Sequence, residues 1–241
     1  MLLFGLAPAQ EQPASPTKEI VLPPVAPSAE RRSKRLSLSA WALIRSDISP
    51  GLAAAGQLGG SQVGIRARYA VADQVHFAAR LSSPTGSSKG KEAAVAADLQ
   101  PFEAVPITLT VERRIGLDRG GRNAFGIGVF GGFDRQVASR TAIDGYAQAG
   151  VVGLKSRDAY VDGAVRAERQ VASIGKMRIG AGAGLWGGAQ PGASRLDVGP
   201  QVVGHAPVGQ LNVRLGAEWR QRVAGNAGPG SGPALSLGAD F

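Results

Sequence analysis

The chain has 241 residues, a formal net charge of +9, 35 glycines and no cysteine. The lack of cysteine excludes disulfides and thiolate metal sites as supports of the fold. Apolar residues make up 44% of the chain. No run of about 18 apolar residues occurs, however, so a transmembrane helix is not expected. The basic residues are interleaved with acidic ones along the chain, which argues against a nucleic-acid partner.

The N-terminal 35 residues do not have the pattern of a folded domain. Residues 1–9 end in Ala7-Pro8-Ala9, which is typical of the cleavage site of a secretory signal peptide. The basic segment that normally opens such a peptide is missing, so the signal would be truncated. An ordinary disordered N-terminus is the alternative. Residues 10–35 carry closely spaced prolines among Ser, Glu and Ala, which predicts an extended linker without a core.

From residue 36 onward, apolar and polar side chains alternate with a period of two and helical periodicity is almost absent. Successive side chains of a strand point to opposite faces, so each such segment has one apolar and one polar face. The clearest segments are 62–71, 74–82, 105–114, 210–220 and 233–241. Weaker ones lie near 36–46, 92–100, 122–134, 143–154, 159–170, 175–187 and 194–206. With turn residues between them, they predict an antiparallel sheet of about twelve strands.

The polar face of these segments carries most of the charge. Its predicted members include Arg66, Arg68, Arg80, Glu112, Arg114, Arg166, Glu168, Arg178, Arg214, Glu218 and Arg220. A soluble barrel would expose this face, whereas a transmembrane barrel turns its apolar face to lipid and encloses the polar one. An open sheet of many similar strands would also leave two edge strands with unpaired backbone groups, and closing the sheet into a barrel removes these edges. We therefore predict a closed antiparallel transmembrane β-barrel over 36–241, with these charged residues lining its lumen.

The last strand carries a more specific motif. Residues 233–241 read PALSLGADF, in which Leu235, Leu237, Ala239 and Phe241 alternate up to a terminal aromatic residue. This resembles the final strand of bacterial outer-membrane proteins, which the barrel-assembly machinery reads. In overall style the barrel is also similar to the C-terminal barrels of exopolysaccharide-export outer-membrane proteins, although those follow long helical repeats and this one follows a short linker. The resemblance implies outer-membrane lipid and the assembly machinery as partners, with a polysaccharide or small anions as candidate solutes.

An even strand count would place both chain ends, and the linker over 10–35, on the periplasmic side of the outer membrane. The outer loops would then be 47–58, 84–91, 115–121, 155–158, 188–193 and 223–232. The segment near 135–142 would be a long exception among the short periplasmic turns. The aromatic girdle would be thin, with Trp41, Trp186 and Trp219 and a few Phe and Tyr residues.

Two interpretations of the lumen stay open. The charges could form a cross-strand ion-pair network that fills it, since buried charges need partners or water. They could instead line a water-filled passage whose basic excess favours anions. The predicted function is an integral outer-membrane barrel that serves as a small channel or exporter component. The alternatives are a structural or adhesive surface barrel with an occluded lumen, and a soluble β-barrel or sandwich that binds a ligand.

The remaining motifs do not indicate catalysis. Residues 126–131 and 182–187 match the dinucleotide fingerprint GxGxxG, but neither continues into the helix that the fingerprint requires. His76 and His205 are isolated in the sequence, and nothing in the spacing selects Ser82 or Ser83 as a nucleophile for an outer-membrane hydrolase. We expect no enzyme activity, no metal site and no cofactor.

Overall fold

The structure is a computed structural model that describes residues 35–45, 60–86, 89–102, 104–155 and 157–240. These residues form twelve strands: β1 (Leu36–Ile44), β2 (Gln62–Ala70), β3 (Val75–Pro84), β4 (Glu92–Leu99), β5 (Ile107–Gly116), β6 (Ala124–Ala138), β7 (Thr141–Val152), β8 (Asp158–Ile174), β9 (Met177–Gln190), β10 (Ala193–Val208), β11 (Leu211–Gly225) and β12 (Gly232–Asp240). No helix among the described residues is long and apolar enough to cross a membrane. The predicted signal peptide and nearly all of the predicted linker lie outside the described residues.

Each strand pairs antiparallel with its neighbours in the chain, and β12 pairs with β1 to close the ring. This confirms the predicted fold class and strand number. Leu235, Leu237 and Ala239 of the predicted assembly motif lie in β12, the strand that closes the barrel. Phe241, the last residue of that motif, lies outside the described residues.

The barrel has two different ends. At one end, here called the terminal end, β1 begins at Leu36 and β12 ends at Asp240. The other end, here called the loop end, carries the connections that follow the odd-numbered strands. The predicted long connection near 135–142 is wrong, because β6 continues to Ala138 and β7 begins at Thr141. Polar residues occur on both faces of this hairpin and hide the alternation, yet the two strands pair in register almost to the turn.

The side-chain distribution is that of an inverted barrel. Phe77, Leu81 and Ile127 on the outer face are 58%, 53% and 61% exposed. Asp98 and Arg114 on the inner face are each 1% exposed. Because strand side chains alternate between faces, the apolar positions form one continuous outer surface and the charged positions share the enclosed one.

The tryptophans do not form the predicted girdle. Trp186 is buried inside the barrel, and Trp41 covers Gly64 on the inner face so closely that a Cβ at residue 64 would overlap the indole ring. Only Trp219 is exposed on the outer face. The prediction for Trp41 and Trp186 is wrong because both have inward strand positions. The aromatics at outward strand positions are instead Tyr69, Phe77, Phe125, Phe133 and Trp219, and Phe102 is exposed in the connection between β4 and β5.

Candidate functional site: the charged barrel interior

One cluster of charges lies on the inner face of β2 and β4. The Asp98 Oδ2 atom accepts hydrogen bonds from Arg66 at 2.7 Å and from the Arg68 Nε at 3.1 Å. The Asp98 side chain is fully buried, whereas the side chains of Arg66 and Arg68 are 17% and 26% exposed. A single carboxylate therefore holds two guanidiniums, which leaves this part of the wall with a net positive charge.

A second group of charges lies beside the first on β3 and β5. Glu112 accepts a hydrogen bond from the Arg114 Nε at 2.5 Å and another from Arg80 at 3.4 Å. Arg80 also donates to the hydroxyl of Ser82 at 3.1 Å. All four side chains are buried, so this part of the wall is braced by ion pairs rather than by apolar packing.

Several arginines reach across the interior. The guanidinium carbon of Arg66 lies 5.1 Å from the centre of the Phe130 ring, and that of Arg68 lies 5.9 Å from it. Arg114 approaches Tyr160 in the same way at 5.7 Å. Phe130 belongs to β6 and Tyr160 to β8, so these cation–π contacts bridge strands that are not neighbours. These side chains occupy part of the space that the strand backbones enclose.

The β9–β12 side of the wall carries a further ion pair. The Arg220 Nε donates to the Glu218 Oε2 atom at 2.7 Å, and the Arg220 guanidinium stacks on the Trp186 ring at 4.4 Å. The Ser236 hydroxyl donates to the other Glu218 oxygen at 2.7 Å. Arg214 contacts Gln201 more loosely, at 3.3 Å.

Towards the terminal end, the inner side chains are more accessible. Arg166 donates to Asp144 at 2.8 Å through its Nε, and the two side chains are 18% and 24% exposed. The His205 Nε2 lies 3.0 Å from the Glu168 Oε1, with the imidazole 31% exposed. Arg178, nearer the rim, is exposed. The inner side chains are therefore more accessible at this end than near β3–β5.

The predicted lumen residues all have inward positions on their strands. The structure brings Arg66 and Arg68 together at Asp98, Arg80 and Arg114 at Glu112, and Glu218 with Arg220. It does not bring Arg166 to Glu168, because these two pair with Asp144 and His205 respectively. Other inner residues were not predicted from the sequence: the aromatics Trp41, Phe130, Tyr146, Tyr160 and Trp186, and Arg45. Tyr146 and Tyr160 could have been found by their two-residue spacing from Asp144 and Asp162. The residues two positions from Trp41, Phe130 and Trp186 are uncharged, so the sequence gives no such signal for these three.

The other candidate residues are not assembled into a site. His76 lies near the terminal end of β3 and Ser82 near its loop end, and six strand residues span about 20 Å. The two GxGxxG segments lie within β6 and β9. Their inward glycines adjoin large side chains, as Gly126 does beside Glu112 and Gly184 beside Trp186.

A polar clamp joins two connections at the loop end. The Asp118 carboxylate accepts backbone N–H groups from Gly90 at 2.8 Å, Lys91 at 3.0 Å, Gly120 at 2.8 Å and Gly121 at 3.1 Å. The hydrogen bonds from Gly90 and Lys91 are the main causes that lower the pKa of Asp118 to about 2. The clamp thus ties the β3–β4 connection to the β5–β6 connection.

We expect this clamp to persist to unusually low pH. Because the pKa of Asp118 in the folded protein is depressed, its contribution is complete above the ordinary aspartate value of about 4 and is lost as the pH falls towards 2. The amide proton shifts of Gly90 and Gly120, followed by NMR in detergent, should titrate with a midpoint near the pKa of about 2. The same titration should be absent in Asp118→Asn. A midpoint near 4 would contradict the clamp.

A closed antiparallel ring of twelve strands, apolar outside and charged inside, is the architecture of a transmembrane β-barrel of the outer-membrane type. No protein-family profile matches the sequence. No curated protein sequence matches it either.

Solved structures show similarity at low identity. An outer-membrane channel from Pseudomonas putida F1 has 11% identity and a TM-score of 0.40, covering 85% of this chain and 94% of that one. A bacterial polysaccharide outer-membrane secretin has 7% identity and a TM-score of 0.41, covering 86% and 97%. The β-domain of the Bordetella autotransporter BrkA has 12% identity and a TM-score of 0.43, covering 86% and 99%. Because these identities and TM-scores are low, the function is inferred from the barrel interior.

Proposed function

We propose that the chain is an integral outer-membrane protein that forms a narrow, anion-preferring channel. The exposed apolar outer face suits insertion in lipid, and both ends of the described chain lie at the same end of the barrel. On this proposal the terminal end faces the periplasm and the loop end faces outward, since outer-membrane barrels keep short turns on the periplasmic side and longer loops outside.

The observation that carries the proposal is an excess of enclosed positive charge. The buried or half-buried arginines on the inner side are Arg45, Arg66, Arg68, Arg80, Arg114, Arg122, Arg166, Arg195, Arg214, Arg220 and Arg222. The corresponding carboxylates are fewer: Glu92, Asp98, Glu112, Asp144, Asp158, Asp162, Glu168, Asp197 and Glu218. A packed, dry interior needs a partner for every charge, whereas a hydrated lumen balances the surplus with water and mobile anions.

Accessibility inside the barrel supports a hydrated passage on the terminal side. Tyr146 points inward from β7, yet it is 42% exposed. With Arg166 and His205, it borders the more accessible part of the lumen. Anions entering there would meet the cationic surface of Arg66 and Arg68 before reaching the constricted loop end.

The test is the ion selectivity of the purified barrel in a planar bilayer. A mobility shift on boiling should first establish that the preparation is a closed, detergent-stable barrel. Under a KCl gradient, we expect a reversal potential whose sign reports chloride preference. A cation-selective reversal potential from a correctly folded barrel would contradict the proposal.

The structural barrel with an occluded lumen is a second candidate, favoured by the complete burial of Arg114 and Asp98. On that reading the ion pairs brace the wall and carry no current. A heat-modifiable barrel that inserts into bilayers without measurable conductance would establish this candidate and reject the channel.

A further inference from the structure

The connection between β11 and β12 folds into the loop-end mouth of the barrel. This segment, residues 226–231, is called the strap. Ala227 is 4% exposed and Pro229 less than 2%, so the middle of the strap is enclosed by the barrel, whereas Asn226, Gly230 and Ser231 are exposed. Its start is fixed to β10, because the Asn226 Oδ1 accepts a hydrogen bond from the Ser194 N–H at 2.9 Å and the Ala227 N–H donates to the Ser194 carbonyl at 2.9 Å.

Three arginines hold the strap by its backbone carbonyl groups. Arg222 donates to the Ala227 carbonyl at 2.7 Å, Arg195 to that of Gly228 at 2.8 Å, and Arg45 to that of Gly230 at 3.0 Å. These guanidiniums come from β10, β11 and the residue after β1, so they approach the strap from three directions. The strap is thereby held at three of its six residues.

Asp197 orients two of the three arginines. Its Oδ2 atom accepts from Arg45 at 2.8 Å and from Arg195 at 2.7 Å, and its Oδ1 accepts from Arg195 at 2.9 Å. The carboxylate is 0% exposed, and the side chains of Arg45 and Arg195 are 1% and 4% exposed. Removing the negative charge would leave both guanidiniums buried without their counter-ion, and hydration would pull them from the strap.

The composition of the strap favours movement. It is flanked by Gly225, which has a φ of 94°, and by Gly232, and it contains Gly228 and Gly230. Its buried side chains are small, so opening would expose little apolar surface. When the strap opens, water can hydrogen-bond to the freed carbonyl groups, which offsets part of the cost of losing their hydrogen bonds to the guanidiniums.

We propose that the strap is the gate of the lumen and that Asp197 is its latch. The inference rests on the proposed channel function, because a gate needs a conducting path behind it. In the closed state the strap blocks the loop-end mouth. In the open state residues 227–231 swing away from Arg45, Arg195 and Arg222, while the Asn226 side chain keeps the start of the strap attached to the Ser194 N–H and the Gly192 carbonyl.

The experiment combines conductance with cysteine labelling. In planar bilayers, Asp197→Asn should raise the mean current about threefold or more over the wild type, since it removes the constriction that limits ion passage. The chain contains no cysteine, so Ala227→Cys introduces a single reporter in the strap. Maleimide should label this cysteine slowly in the otherwise unchanged barrel and several-fold faster when Asp197→Asn is added.

Two controls make the result specific. Asp118→Asn removes another loop-end carboxylate, one bound to backbone N–H groups outside the strap, and should leave both the current and the labelling unchanged. Arg195→Lys keeps the charge but loses the paired geometry of the guanidinium. It should open the strap even if Asp197→Asn does not fold, as judged by the gel shift.

The outcomes separate the gate from the channel. Labelling of residue 227 that does not accelerate in folded Asp197→Asn or Arg195→Lys overturns the gate, whatever the current. Accelerated labelling without current in any variant upholds the movement of the strap and overturns the channel. Accelerated labelling with a raised current upholds both.

Discussion

Asp98→Ala should strongly destabilise this barrel. Its carboxylate is fully buried and accepts hydrogen bonds from both Arg66 and Arg68, so its removal leaves two partly buried cations without a counter-ion. Breaking a buried ion pair by removing one partner typically costs about 3–5 kcal/mol. Partial exposure of the two arginines puts the expected loss at the lower end of that range. The measurement is the temperature at which half of the sample changes its gel mobility in detergent.

Asp134→Ala is the matched control for this substitution. Asp134 also has an inward strand position, on β6, but it is exposed, and the cost of its replacement should stay within about 0.5 kcal/mol. If Asp98→Ala and Asp134→Ala had the same midpoint temperature, water would already screen the charges of Asp98, Arg66 and Arg68. The ion pairs would then contribute little to holding the wall.

Neutralising Arg66 and Arg68 should have the largest effect on selectivity. The change is Arg66→Gln with Arg68→Gln, combined with Asp98→Asn so that no buried carboxylate is left unpaired. An anion that passes about 8 Å from one charge in water gains about 0.5 kcal/mol, so the loss of a net positive charge from the cluster lowers chloride preference about twofold. Without Asp98→Asn, the cluster changes from net positive to net negative and the reduction should approach fivefold.

The control for these variants is Arg113→Gln. Arg113 stacks on Phe125 on the outer face, with its guanidinium carbon 5.0 Å from the ring centre. The same change of charge there lies on the lipid side of the wall and should leave the reversal potential in a KCl gradient unaltered. Equal effects of Arg113→Gln and the inner variants would show that overall charge, and not the lumen surface, determines selectivity.

The fold could be read from the sequence because its main determinant is local. In a strand, the face to which a side chain points follows from its position alone, so Arg66, Arg80 and Glu218 could be placed inside from their neighbours along the chain. The number of strands follows from the same alternation, whereas the inversion of polarity depended on the further argument that many strands without a helix must close into a ring. Where polar residues occupy both faces, as in the hairpin near 135–142, the signal disappears and the prediction was wrong.

The site was only half predictable, since a partner depends on register and not on spacing. Arg166 and Glu168 are two residues apart and both point inward, but antiparallel pairing places Asp144 opposite Arg166, and His205 contacts Glu168 from β10. Trp41 and Trp186 looked like interface residues because tryptophan is common there. Their inward positions put them in the lumen instead.

The sequence by itself determined that this chain forms strands, that each strand has a lipid-type face and a charged face, and that such strands must close into a ring. Each of these depends on residues a few positions apart and on the need to pair every backbone group. The tertiary structure alone decided which arginine meets which carboxylate, and it alone placed Asp197 between Arg45 and Arg195 beneath the strap. Those contacts join residues up to 152 positions apart, and only closure of the ring brings them within hydrogen-bonding distance.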